Sequence, residues 1–123
     1  MLVRFARGQR GAAAVEFAMI CLPLIVLLVG TIEFGRVLHL RNNLAYAADV
    51  GVRAMIIGKP DEEVAALVNA AFSGAGELTP QFGNTAVGTA HFRTLTVTYS
   101  VSLLIPGLSP DGFTLEIERG LPG

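Results

Sequence analysis

The sequence has no tryptophan, one cysteine, two histidines and two tyrosines among its 123 residues. Each scarcity closes off a kind of chemistry. A lone cysteine, Cys21, cannot form an intrachain disulfide or build a four-thiol metal site. It lies inside an apolar run and reads as a small apolar filler. His39 and His91 are far apart, and neither has a metal-ligating residue three or four positions on. No phosphate-binding loop, G-x-S-x-G elbow or Cys/His dyad is present. Gly74-Ala75-Gly76 lacks the strand-to-helix setting of a dinucleotide loop. The triplet Asp61-Glu62-Glu63 is a poor metal site, because adjacent helical residues point in different directions. No enzyme activity, cofactor or metal is expected. With so few tyrosines and no tryptophan, there is no aromatic belt to mark a membrane interface.

What the chain does have is apolar mass at one end. It is 52% hydrophobic with a mean hydropathy of +0.57. The excess is concentrated in the first third. From Ala12 to Ile32 the only charge is Glu16. About 20 apolar residues at about 1.5 Å each span the roughly 30 Å bilayer core, so this run is a candidate transmembrane helix. Pro23 interrupts it, as membrane helices tolerate. A carboxylate at membrane depth costs on the order of 2–4 kcal/mol, so Glu16 is expected to have a purpose. The plain alternative is a carboxylate that snorkels to the headgroups.

The run is preceded by Arg4, Arg7 and Arg10, with no acid before Glu16. By the positive-inside rule these arginines set the membrane orientation, with the N-terminus in the cytoplasm. An ordinary secretory signal carries its small-residue cleavage site after the apolar core. Here the small residues Gly11-Ala12-Ala13-Ala14 come before it, and Leu27-Leu28-Val29-Gly30-Thr31 offers no good site behind it. The apolar run is therefore expected to stay in the mature protein. Without residues 1–11 the net charge would move from −1 to −4, because three arginines leave and no acid does. A mildly acidic remainder gives no case for nucleic-acid binding. The roughly 90 residues beyond the run suffice for one small domain, not two.

Arg10-Gly11-Ala12-Ala13-Ala14-Val15-Glu16-Phe17-Ala18, then Leu22-Pro23-Leu24, then Ile32-Glu33-Phe34-Gly35-Arg36, resembles the N-terminal signature of TadE-like proteins. These are pseudopilins, or minor pilins, of bacterial tight-adherence (Flp pilus) systems. The resemblance covers residues 7–36 well and continues loosely through the helix that follows. It implies cleavage by a prepilin peptidase between Gly11 and Ala12, with Glu16 and Phe17 as the recognition pair. Gly8 does not fit the pattern, because its fifth following residue is Ala13. The implied partners are the lipid bilayer, the prepilin peptidase, and other pilins with their assembly machinery. The implied place is the bacterial inner membrane, with the C-terminal part periplasmic and the subunit available for incorporation into a pilus. TadE-like and TadF-like N-termini are alike, and the short outer region argues against the longer TadG-like form. The competing reading is a single-pass, membrane-anchored periplasmic protein that binds a partner within an envelope complex.

Beyond Thr31 the helical pattern continues. Phe34, Val37, Leu38, Leu44, Ala45, Ala48, Val52, Met55 and Ile56 recur at helical spacing, with His39, Asn42, Tyr46, Asp49 and Arg53 opposite. Glu33/Arg36 and Asp49/Arg53 are spaced for surface ion pairs. Gly58-Lys59-Pro60 ends the pattern, so one helix is expected from about Ala12 to Ile57. Pro60 then suits the first turn of a short second helix containing Val64, Leu67, Val68 and Phe72. Ser73 to Gly88 reads as a loop. Leu95 to Ile105 alternates with Thr94 to Ser102 as a strand, and Phe113 to Glu118 as a second, joined by a turn-rich Pro106–Gly112. A third strand near Val87–Phe92 has only weak support. The expected fold is a membrane-anchored α+β, pilin-like protein. It has a long N-terminal helix (half transmembrane, half amphipathic), a short second helix and a C-terminal antiparallel β-hairpin or small sheet. Its parts are a leader at 1–11, a transmembrane helix at 12–32 and an extracytoplasmic domain at 33–123.

Overall fold

A computed structural model describes residues 2–105, 107 and 111–122, with side chains from Gln9 onward. Helix α1 spans Leu2–Ile56 and helix α2 Asp61–Ala71; strands β1, β2 and β3 span Gln81–Val87, Ala90–Val101 and Phe113–Pro122. The expected order of elements is borne out: a long apolar-to-amphipathic helix, a short helix, then an antiparallel sheet. The chain divides into two compact units, Met1–Gly35 and Arg36–Gly123.

The first unit is helix alone. It starts at Leu2, not at Ala12 as the pattern implied. Leu2, Arg4, Ala6 and Arg7 are good helix formers, and Gly8 and Gly11 each cost only about 1 kcal/mol against Ala, too little to stop a helix already under way. Pro23 lies within α1 without ending it. It removes one N–H from the ladder, so the Met19 carbonyl loses its usual donor.

In the second unit, the rest of α1 and all of α2 pack on one face of the sheet. The core comprises Leu44, Ala47, Ala48, Val64, Val68, Leu95 and Val97, all fully buried, with Ala54, Met55 and Ile117 close behind. The expected polar face of α1, His39, Asn42, Tyr46, Asp49 and Arg53, is exposed throughout. Three residues assigned to the apolar face, Phe34, Leu38 and Ile56, are exposed instead. The face in contact is drawn by small residues that hydropathy underrates. A Cβ added at Gly51 would lie 2.6 Å from both Leu95 Cδ2 and Val68 Cγ2, so this glycine lets α1 approach α2 and β2 closely.

The helix ends as the glycine indicated. Gly58 adopts φ +79°. Its N–H donates to the Met55 carbonyl at 3.0 Å, and that of Lys59 donates to the Ala54 carbonyl at 3.1 Å. This is a Schellman closure, with glycine at the left-handed position. Pro60 sits just before α2 as its N-cap, one place earlier than the sequence pattern implied.

The sheet has the order β1-β2-β3, with both pairs antiparallel. Two expectations fail here. Gln81–Val87, read as loop, is strand β1 and pairs with β2 from Gln81↔Thr96 to Val87↔Ala90. Its sequence Gln-Phe-Gly-Asn-Thr-Ala-Val has little strand propensity of its own, and the partner strand supplies the order. The weakly supported strand at Val87–Phe92 is in fact centred on a hairpin turn at Gly88-Thr89, with Gly88 at φ +64°. The second failure is the end of β2, which stops at Val101 rather than Ile105. Phe113, the first residue of β3, pairs with Val101, so nothing continues the ladder past that point. Of the turn-rich Pro106–Gly112, Pro106 and residues 108–110 lie outside the described residues.

Among the described residues, three polar ties hold the second unit's helices to its strands and to the connection that follows β2. Arg36 donates to the Ser102 carbonyl. Arg119 Nε donates to Asp49 Oδ1 at 2.9 Å, in place of the expected Asp49/Arg53 pair. Arg93 pairs with Asp61. Glu33, expected at the surface, is buried. The acidic triplet is used structurally, since Glu63 pairs with Lys59 while Asp61 takes Arg93. Asn69 fixes the loop before β1 by accepting from Leu78 N–H at 2.6 Å and donating to the Leu78 carbonyl at 3.0 Å.

Candidate functional site in the N-terminal helix

The residues singled out by spacing all lie on α1. Arg10, Gly11, Ala12, Glu16 and Phe17 are helical and exposed. Arg4 and Arg7 are helical in backbone, and their side chains lie outside the described residues. Ala12 and Glu16 are four apart, so they share one face of the helix about 6 Å from each other along its axis. Gly11 lies a little earlier, on open helix surface, where an added Cβ would meet no atom within 4 Å. Arg10 lies on the N-terminal side of Gly11. The helix thus brings a basic residue, a small-residue pair and a carboxylate together within two turns.

Glu16 has no hydrogen-bond or ion-pair partner among the described residues. Around it the surface is oil. Val15, Phe17, Met19, Ile20 and Leu22, then Leu24 through Leu28 without interruption, are each more than half exposed. Five consecutive helical residues at about 100° each face every direction, so this is an apolar cylinder and not an amphipathic stripe. Such a surface is unstable in water and suits lipid. The one strong side-chain donor between Ala12 and Ile32 is Thr31. Its hydroxyl donates to the Leu27 carbonyl at 2.8 Å, back into its own helix. That arrangement leaves Glu16 as the polar group of the segment whose needs the helix does not meet. One helix is long and apolar enough to cross a membrane, and it lies near the N-terminus.

The second unit offers less for chemistry. Among the described residues, no group of three His, Cys, Asp or Glu side chains is arranged to hold a metal ion. His39 Nε2 lies 3.2 Å from Asn43 Nδ2, a local helix-surface contact. A shallow cleft of about 400 Å³ lies between Met55, Ile56, Arg93, Leu121 and Pro122. Its one charged side chain, Arg93, is already engaged by Asp61.

Comparison with known families finds a match. Residues 11–53 fit the model of the TadE family, described as TadE-like protein. The match takes in Gly11, Glu16, Phe17, the whole apolar run and most of the amphipathic part of α1. Residues 54–123 lie beyond it. No curated protein matches the chain, and no solved structure matches it. The stretch similar to TadE-like protein thus coincides with the helix that is long and apolar enough to cross a membrane.

Proposed function

We propose that this TadE-like chain is a pseudopilin, a minor subunit that takes part in assembling a tight-adherence pilus. A prepilin peptidase cuts between Gly11 and Ala12, releasing residues 1–11 as a basic leader. Residues 12–32 remain as the transmembrane helix, and residues 33–123 form the extracytoplasmic domain. The arginines of the leader hold the N-terminus in the cytoplasm until the cut. The role is structural, not catalytic, and it is carried out in the inner membrane with other pilins and their assembly machinery.

The observation that carries this reading is Glu16. It is a carboxylate with no partner among the described residues, on an apolar cylinder in the stretch that fits the TadE family. Cleavage after Gly11 makes Ala12 the new N-terminus, so Glu16 then sits near the positive end of the helix, where an anion is favoured. It also creates a free amine at the same membrane level. A carboxylate in low dielectric needs a cation, and the Ala12 amine of a neighbouring subunit supplies one. That pairing fixes the stagger between packed helices. Phe17 beside it gives the peptidase an apolar contact next to the acid.

The test separates cutting from assembly. Co-expression with a prepilin peptidase should yield a chain that begins at Ala12. Glu16→Ala should still insert into the membrane but fail to co-assemble with partner pilins. If Glu16→Ala assembles normally, Glu16 is only a headgroup anchor and the protein is better described as a single-pass scaffold of an envelope complex.

A further inference from the structure

The connection between β2 and β3 opens with Ser102-Leu103-Leu104-Ile105, and no charged residue occurs from Ser102 to Pro110. Leu104 is 62% exposed, while Leu103 and Ile105 are partly exposed beside it. A single exposed leucine is ordinary. What sets this one apart is its company and its height. Arg36 donates to the Ser102 carbonyl, which ties the start of the connection to α1. Arg36 is only four residues past Ile32, the end of the apolar run, or about 6 Å of helix. The Arg36–Ser102 hydrogen bond therefore holds the base of this loop close to the point where α1 leaves the apolar run.

We propose that Leu103, Leu104 and Ile105 enter the boundary between lipid headgroups and acyl chains of the bilayer that α1 crosses. The inference rests on α1 being a membrane helix, as proposed above. Apolar side chains on an uncharged loop, held at the interface by a neighbouring anchor, bury their surface in lipid without needing strong affinity of their own. The loop makes a second contact with the membrane beside the helix. The opposite end of the sheet carries no such contact. Val87, at the β1–β2 hairpin, lies a full β2 length away, roughly 35–40 Å at about 3.3 Å per residue.

The absence of tryptophan gives a clean probe. The full chain is placed in nanodiscs, one copy per disc, with lipids brominated in the upper part of their acyl chains. Three single-tryptophan variants are compared: Leu27→Trp within the apolar run, Leu104→Trp in the loop and Val87→Trp at the distal hairpin. All three replace exposed side chains. The expected result is strong lipid quenching at positions 27 and 104, a blue-shifted emission at both, and neither at position 87. Quenching at 27 with position 104 behaving like position 87 overturns the loop contact while leaving the membrane helix intact. No quenching at 27 overturns the membrane reading and the loop contact with it. Equal quenching at 104 and 87 also overturns the proposal, because contact is then not confined to the loop. If Leu104→Trp fails to fold, Ile105→Trp gives the same readout.

Discussion

Glu16 is the one charged side chain between Ala12 and Ile32, and the consequences of changing it follow from that isolation. Glu16→Gln keeps size and hydrogen bonding but loses the charge. It is expected to insert at least as well as the native chain and to lose most co-purification with partner pilins, measured by affinity capture from detergent-solubilised membranes. Unchanged capture would assign Glu16 no role in pairing. In the second unit a glycine is a sensitive position. Gly51→Val puts a branched side chain where Leu95 and Val68 already lie 2.6 Å from a bare Cβ. Overpacking of this kind costs about 1–3 kcal/mol or more, so thermal unfolding followed by circular dichroism should show a lowered Tm. The exposed Asp49–Arg119 pair is a contrasting case. Both side chains are close to half exposed, and Asp49→Asn should change stability by less than about 1 kcal/mol.

At the scale of elements, how legible each one was depended on whether its order is local. Both helices were readable because their signals lie within their own residues: the long apolar run, the Gly58 closure, and the acids that open α2. The alternating Thr and Val/Leu of β2 read equally well. Strand β1 did not, because Gln81–Val87 is ordered by the partner it pairs with and not by its own pattern. The end of β2 was misjudged for the same reason, since alternation continues past Val101 where no partner strand remains. The face of α1 in contact with the sheet was partly hidden because Ala47, Gly51 and Ala54 pack by being small. The loop before β1 also depends on a contact the sequence does not announce, the two hydrogen bonds between Asn69 and Leu78. Asn69→Ala leaves the Leu78 N–H and carbonyl without their partner and should destabilise the second unit by about 1–3 kcal/mol, read as a shift in the denaturant midpoint.

At the scale of the whole molecule, the TadE match covers the first part of the chain. The matched stretch, residues 11–53, contains the small-residue pair, the carboxylate, the apolar run and most of the amphipathic helix. The sheet and α2 lie outside it and share one core with Leu44, Ala47 and Ala48 of the matched helix. The central claim is that the first stretch is a processed device: a cut that makes an amine, and a glutamate one helical turn away to use it. The most direct measurement is the N-terminal sequence and intact mass of the membrane-extracted chain after co-expression with a prepilin peptidase, set against an inactive peptidase. The account predicts a chain starting at Ala12 with the active enzyme and an uncut chain with the inactive one. A chain that keeps residues 1–11 in both, or that starts at any other residue, contradicts it.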